Sequence, residues 1–257
     1  MKKLISLFVA LSLAGFGGLA EAGESLPILY AYGPAGPGPA MKEAAATFGA
    51  ADHVKVVVVA GPPPMWLAKA RWDADMIFSG AEATMSNFAQ ALPGAFDLGA
   101  AEPLYLRPAA ILVRPGNPKA IHGFRDLLKP GVKVLTTEAS SQIGLWEDVA
   151  GRTGDIALVR AFRRNMVLPE PSNSVAALKQ WTEQADIDAW LIWNIWQVAN
   201  PKVAETVPLE EPYRIYRDTG VVLTHKGAAD PKAKAFVDFL KSDQGRAIFV
   251  KWGWEEH

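Results

Sequence analysis

Ile28-Leu29-Tyr30-Ala31-Tyr32, followed at once by Gly33-Pro34-Ala35-Gly36-Pro37-Gly38-Pro39, is the stretch that decides the fold. The first five residues read as a short buried strand, and the glycines and prolines after them as a loop. Ala40 to Ala51 then carries Met41, Ala44, Ala45 and Phe48 at helical spacing. Val54 to Ala60 is a second strand, nearly all valine, as in a sheet covered on both faces. Gly61-Pro62-Pro63-Pro64 ends it, Met65 to Trp72 starts a helix, Asp75 to Phe78 is a third strand, and Thr84 to Leu92 a third helix. Strand, loop and helix alternating three times predict a parallel sheet with crossover helices.

The rest of the chain has the same style. Strands are expected at Val132 to Thr136, Ile187 to Trp193 and Gly220 to Thr224. Helices are expected near Ile143 to Ala150, at Asp155 to Asn165, at Ser174 to Glu183, and as a closing pair at Asp230 to Lys241 and Asp243 to Lys251. Two extended segments begin Glu-Pro and carry tyrosine and arginine: Glu102-Pro103-Leu104-Tyr105-Leu106-Arg107 and Glu211-Pro212-Tyr213-Arg214-Ile215-Tyr216-Arg217. Set side by side, they would cross twice between two lobes, residues 23–104 with 217–257 and residues 105–216. The predicted fold class is therefore α/β, two-lobed, with helices on both faces of parallel or mixed sheets and two hinge strands.

Ahead of this lies an address. Lys2 and Lys3 precede an apolar run from Leu4 to Leu19, and Ala20-Glu21-Ala22 has the small-x-small pattern of a cleavage site. Residues 1–22 are expected to be a secretory signal peptide, cut after Ala22. The run is broken by Gly15, Gly17 and Gly18, which argues against a membrane anchor. Export into the periplasm, no membrane insertion and a monomer are the expectations.

Composition excludes several functions. The chain has 257 residues, a formal net charge of −1 and no cysteine. The absence of cysteine removes disulfides, thiolate metal sites, a cysteine nucleophile and acylation of a cysteine. Near-neutral charge gives no field for nucleic acid. His53, His122, His225 and His257 are scattered, with no metal-ligand spacing, so neither metal nor cofactor is expected. Arg160, Arg163 and Arg164 read as a solvated helix face or a docking patch.

Ligands of parallel α/β sheets sit beyond the carboxyl ends of the strands, where helix N-termini favour anions. Four loops meet that description. Gly33, Pro34 and Gly36 lie in the first, which otherwise is a plain turn. Ser79 and Gly80 follow the third strand, where the serine is a hydroxyl donor or a cap. Ser140, Ser141 and Gln142 offer two hydroxyls and an amide at a helix start, the alternative being a capping box. Asn194 ends the Trp190-to-Trp193 run, and Trp193 would wall a pocket or belong to the core. Arg107 and Arg217 are the charged candidates. Each holds a ligand anion or pairs internally with Asp218, Glu102 or Glu211.

At these loops the sequence resembles the accessory colonisation factor C family, within the molybdate/sulfate-type periplasmic solute-binding proteins. The carrying stretches are Tyr32-Gly33-Pro34-Ala35-Gly36-Pro37, Ala74-Asp75-Met76-Ile77-Phe78-Ser79-Gly80, Pro103-Leu104-Tyr105-Leu106-Arg107-Pro108 and Gly144-Leu145-Trp146-Glu147-Asp148. Ile187-Asp188-Ala189-Trp190-Leu191-Ile192-Trp193-Asn194, Ile215-Tyr216-Arg217-Asp218 and the ending Leu240-Lys241-Ser242-Asp243-Gln244-Gly245 with Lys251-Trp252-Gly253-Trp254 are also similar. The resemblance implies two lobes, an anion in the cleft, no catalysis, and delivery to an inner-membrane ABC permease. It further implies hydroxyl donors at Ser79 and at Ser140 or Ser141. The chain departs from the broad type at Pro34-Ala35-Gly36, where serine is frequent, and at Trp193-Asn194, where tyrosine is frequent, which turns the reading away from molybdate itself. Two other classes stay open. A sensing or colonisation-related interaction module would bind a receptor, and an exported hydrolase would use Ser79 or Ser141 with His225.

Overall fold

The computed structural model describes residues 26–138 and 140–255, and of Ser140 the backbone only. The expected signal segment with its cleavage site, and His257, lie outside the described residues. In chain order the elements are β1 (Ile28–Gly33), α1 (Gly38–Asp52), β2 (Lys55–Ala60), α2 (Leu67–Asp73), β3 (Met76–Phe78), α3 (Glu82–Ala91) and β4 (Glu102–Val113). Then follow β5 (Val134–Leu135), α4 (Leu145–Ala150), α5 (Ile156–Asn165), α6 (Ser174–Glu183), β6 (Ala189–Trp193), α7 (Ile195–Ala199) and β7 (Glu205–Pro208). The chain closes with β8 (Tyr216–Leu223), α8 (His225–Ala228), α9 (Pro231–Lys241) and α10 (Asp243–Lys251).

The strand order is β2-β1-β3-β8-β4-β6-β5, with β7 also on β4. β1 pairs in parallel with β2 and β3, as the alternating pattern predicts, whereas β3 meets β8 antiparallel, so the sheet is mixed. Period-two alternation sorts side chains to its two faces. Leu29, Ala31, Met76 and Phe78 face the large core with Met41, Phe48 and Phe236, while Tyr32, Ile77 and Val222 face a second core with Trp66, Phe88 and Leu92. Gly33 is required by close approach, because a Cβ there would stand 2.4 Å from the Phe78 carbonyl oxygen.

β4 joins the two halves of the sheet. Its first part pairs antiparallel with β8, from Glu102 opposite Val221 to Pro108 opposite Tyr216, with Arg107 opposite Arg217. From Ala109 onward it pairs instead with β6 and β7. The partner changes at Pro108, which has no N–H to give the ladder. The two Glu-Pro segments thus contribute neighbouring strands, although Glu211-Pro212-Tyr213 itself is a 3-10 turn.

Several elements differ from the sequence reading. α1 starts two residues early, with Pro37 at its N-cap and Pro39 in the first turn, where a missing N–H costs nothing. β2 is an edge strand and half-buried along most of its length, not covered on both faces. β5 is two residues long, shorter than Val132 to Thr136. β7, α7 and α8 were not predicted. By contrast α6, α9 and α10 begin where their N-cap side chains Asn173, Asp230 and Ser242 place them.

Candidate functional site

A cavity of about 40 Å3 opens where the loops after β1, β2 and β5 meet the starts of α6 and α7. It has room for roughly three waters, at the 10–15 Å3 that one requires. One wall is Pro34 to Pro37, leading into α1, and Gly61-Pro62-Pro63. The facing wall is Ser141, Gln142, Asn173, Ser174 and Val175, with Trp193, Ile195 and Trp196 below, and Arg107 reaches it from β4. The lining contains an arginine and no carboxylate. Two helices of ten residues or more, α1 and α6, present their N-termini to it. The positive ends of their dipoles add to the guanidinium.

Arg107 is 1% exposed. Its Nη1 donates to the Asp218 carbonyl at 2.6 Å and more weakly to that of Arg217, and its Nη2 to the Gly80 carbonyl. The guanidinium lies between two indoles, 4.5 Å from the Trp193 ring and 4.7 Å from that of Trp254. Nε has no hydrogen-bond partner among the described residues. Burial pulls the pKa down from the usual arginine value, while the Asp218 charge raises it and that of Arg217 lowers it. A buried cation without a bonded carboxylate is a costly arrangement, and an anion nearby relieves it. The indole Nε1 of Trp196 is a second buried donor without a partner among the described residues, and it lies 4.0 Å from where a Cβ on Gly36 would stand.

Of the residues singled out in the sequence, Pro34, Gly36, Arg107, Ser141, Gln142 and Trp193 line this cavity. Gly33, Ser79, Gly80, Asn194 and Arg217 are not among the lining residues, and each has another contact. Gly33 packs against Phe78. Ser79 is fully buried; its hydroxyl accepts from the Gly220 N–H at 3.2 Å, and its carbonyl accepts from Thr219. Gly80 lends its carbonyl to Arg107, and a Cβ on it would stand 3.3 Å from the Ser141 hydroxyl and 3.4 Å from Arg107 Nη2. Asn194 donates through Nδ2 to the Gly253 carbonyl at 2.7 Å. The side chain of Ser140 is not among those described.

Arg217 pairs with Asp148, not with Asp218, Glu102 or Glu211. It also donates to the carbonyls of Ser141 and Ile143, and so clamps the loop that carries two lining residues. Glu102 is taken by Lys241 and Glu211 by Arg214. The sequence reading missed Gly61 to Pro63, Asn173 to Val175 and Trp196. Asn173-Ser174 carried a usable signal, an N-cap ahead of an apolar period. Trp196 belongs to the aromatic run at the fourth loop, where sharing a face with Trp193 was a signal outweighed by the rule that buried tryptophans are mostly core.

Comparison with known proteins gives a consistent picture. The model of the family described as bacterial extracellular solute-binding protein matches residues 29–255. The structure of Peb3 from Campylobacter jejuni is 34% identical, covers 89% of this chain and 100% of its own, and superposes with a TM-score of 0.83. A structure of PEB3 with L-phospholactate bound gives 0.84 at the same identity and coverage. The sulfate-binding protein of Escherichia coli K12 is 28% identical over 169 residues, 57% of this chain and 50% of that protein. The match therefore spans about half the length of that curated relative. The sulfate-binding protein SubI of Mycobacterium tuberculosis, at 18% identity and a TM-score of 0.73 over 89% of this chain and 86% of its own, shares the fold.

Proposed function

The chain belongs to the bacterial extracellular solute-binding proteins, two-lobed α/β folds, and from that premise we propose that it captures a small organic acid or tetrahedral oxyanion in the cavity around Arg107. The observation that carries this reading is the lining itself: a buried guanidinium, a second unpartnered donor at Trp196 Nε1, two helix N-termini, and no carboxylate. The relatives support the same class of ligand, one bearing L-phospholactate and others bearing the name of sulfate.

In this reading residues 23–104 and 217–257 form one lobe and 105–216 the other, and they close about the paired strands β4 and β8. Closure brings Pro34 and Gly36 toward Ser141 and Gln142, and ligand contacts made only when closed supply the bias. Arg107 contributes its Nε–H and one Nη2–H, because its other three N–H groups are held by backbone carbonyls. It supplies charge, and Trp196, Ser141 and Gln142 supply direction. A charged donor favours an organic acid over a bare oxyanion, which neutral donors suffice to hold. After cleavage behind Ala22 the protein would work in the periplasm and hand its ligand to an ABC permease. No helix among the described residues is long and apolar enough to cross a membrane.

The test is a thermal-shift panel on mature protein refolded to remove carried-over ligand. It would hold sulfate, thiosulfate, molybdate, tungstate, phosphate, L-phospholactate, small carboxylates and sulfonates. A ligand at about a hundred times its Kd adds roughly 2.7 kcal/mol, which for a chain of this size is on the order of 5–10 °C. A shift with organic acids makes Arg107 the anchor, and a shift with one bare oxyanion assigns the site to the neutral donors. No shift with any anion overturns the reading in favour of a receptor-binding or colonisation module. The hydrolase alternative, with Ser79 as nucleophile, has against it the complete burial of that serine and the engagement of its hydroxyl by Gly220.

A further inference from the structure

Across Gln142 from the anion cavity lies a second pocket of about 200 Å3, with Gln142 lining both. Its chemistry is the reverse of the first. Three carboxylates line it, those of Glu138, Glu147 and Glu170, with the hydroxyl of Thr137 and, as its cation, the guanidinium of Arg163. Trp146, stacked at 5.7 Å on Phe162, gives it an aromatic wall. Two of its oxygen atoms are buried without a hydrogen-bond partner among the described residues: Oγ1 of Thr137, a residue only 4% exposed, and Oε1 of Glu170. A buried carboxylate oxygen without a donor is costly, and in a functional protein it points to a group that arrives from outside.

We propose that this pocket binds a small primary ammonium group. An ammonium has three N–H donors that diverge, and it has no acceptor. Thr137 Oγ1 and Glu170 Oε1 offer it two acceptors in a pocket with an aromatic wall. Among the described residues no group of three or more acidic or histidine side chains is placed to hold a metal ion. The ammonium has two possible sources, a separate amine or the far end of a zwitterion whose acid group sits beside Arg107. The proposal stands on the second pocket alone and survives a different ligand in the first.

Calorimetric titration of the stripped mature protein tests it, with ethanolamine as the amine, phosphoethanolamine as the zwitterion and methyl phosphate as the anion without an amine. Binding of ethanolamine identifies a separate amine. Binding of phosphoethanolamine tighter than methyl phosphate, with none of ethanolamine, identifies one bridging ligand. In either case Glu170→Gln, which keeps shape and loses charge, weakens the ammonium compound by about tenfold or more and leaves methyl phosphate unchanged. Thr137→Val weakens it in the same direction. If ethanolamine fails to bind at millimolar concentration and phosphoethanolamine gains nothing over methyl phosphate, the proposal fails. It fails equally if Glu170→Gln, with an unchanged unfolding midpoint, binds as the wild type does.

Discussion

Replacing Trp196 by phenylalanine separates binding from stability more cleanly than any other change at the cavity. The indole Nε1 is buried and donates to nothing in the described structure. If it donates to a bound anion, removing it forfeits a hydrogen bond to a charged group, worth about 1.5–3 kcal/mol. Affinity should then fall by roughly 10- to 150-fold. Stability without ligand should respond differently. Losing an unpaired buried donor removes a desolvation cost of about 1–3 kcal/mol, while the smaller ring gives up some buried apolar area, about 25 cal/mol per Å2. The two effects oppose each other, so Tm of the stripped protein should move by only a few degrees. Calorimetric titration and thermal unfolding on the same preparation read both quantities. Trp190 is the internal control: it is fully buried and its Nε1 is also unpartnered, but it does not line the cavity. Trp190→Phe should leave affinity unchanged. An affinity for Trp196→Phe indistinguishable from wild type would refute the donor role, and a collapse of Tm together with binding would make Trp196 a packing residue only.

Arg107→Ala should abolish organic-acid binding and also strand the carbonyls of Gly80 and Asp218, costing about 3 kcal/mol or more. The unfolding midpoint should fall by roughly 6–12 °C, and an unchanged midpoint with unchanged affinity would show that the guanidinium is idle. Gly33→Ala places a methyl group 2.4 Å from the Phe78 carbonyl oxygen. Expression as folded protein should drop sharply, checked by circular dichroism and yield. Glu43 accepts two bonds from Lys251 and one from Trp252, which hold its pKa below the ordinary glutamate value. Its contribution is present above the unfolded-state pKa and is lost as pH falls through the lower folded value. Glu43→Gln should therefore lower Tm at neutral pH and match wild type at strongly acid pH, so a constant gap across the acid range would contradict the linkage.

How far the fold was legible varies with how local its causes are. β1 and α1 could be read because an apolar run, a Gly/Pro loop and an apolar period follow one another within thirty residues. α6, α9 and α10 could be read because a side chain at each start caps the free N–H groups. α7 could not. The run Trp190 to Trp196 is apolar throughout, and such a run fits strand or helix equally until the surrounding structure chooses. β7 is mostly exposed and without alternation, and it exists because the far half of β4 offers it an edge. The shortness of β5 and the exposure of β2 likewise follow from position in the sheet, which no local pattern encodes.

The candidate site divides along the same line. That the loops beyond the strand ends would gather was legible, because parallel topology forces it. Which polar side chain turns inward was not, because each had a competing partner from a distant segment. Gly220 claims the hydroxyl of Ser79, Asp148 claims Arg217, and Gly253 claims Asn194. These three contacts are not idle with respect to the cavity. Ser79 fixes the end of β3 to β8 just before Gly80, whose carbonyl orients Arg107. Arg217 clamps the loop that presents Ser141 and Gln142. Asn194 ties the end of β6 to the turn before Trp254, and Trp254 covers one face of the Arg107 guanidinium. The polar residues that left the lining thus hold the arginine and the donor loop in place. A substitution at any of them should alter affinity through Arg107 or Ser141 rather than through a lost ligand contact. For the proposed binding site, the expected signature is weaker binding of every anion alike with their ranking unchanged, and a changed ranking would contradict the indirect role.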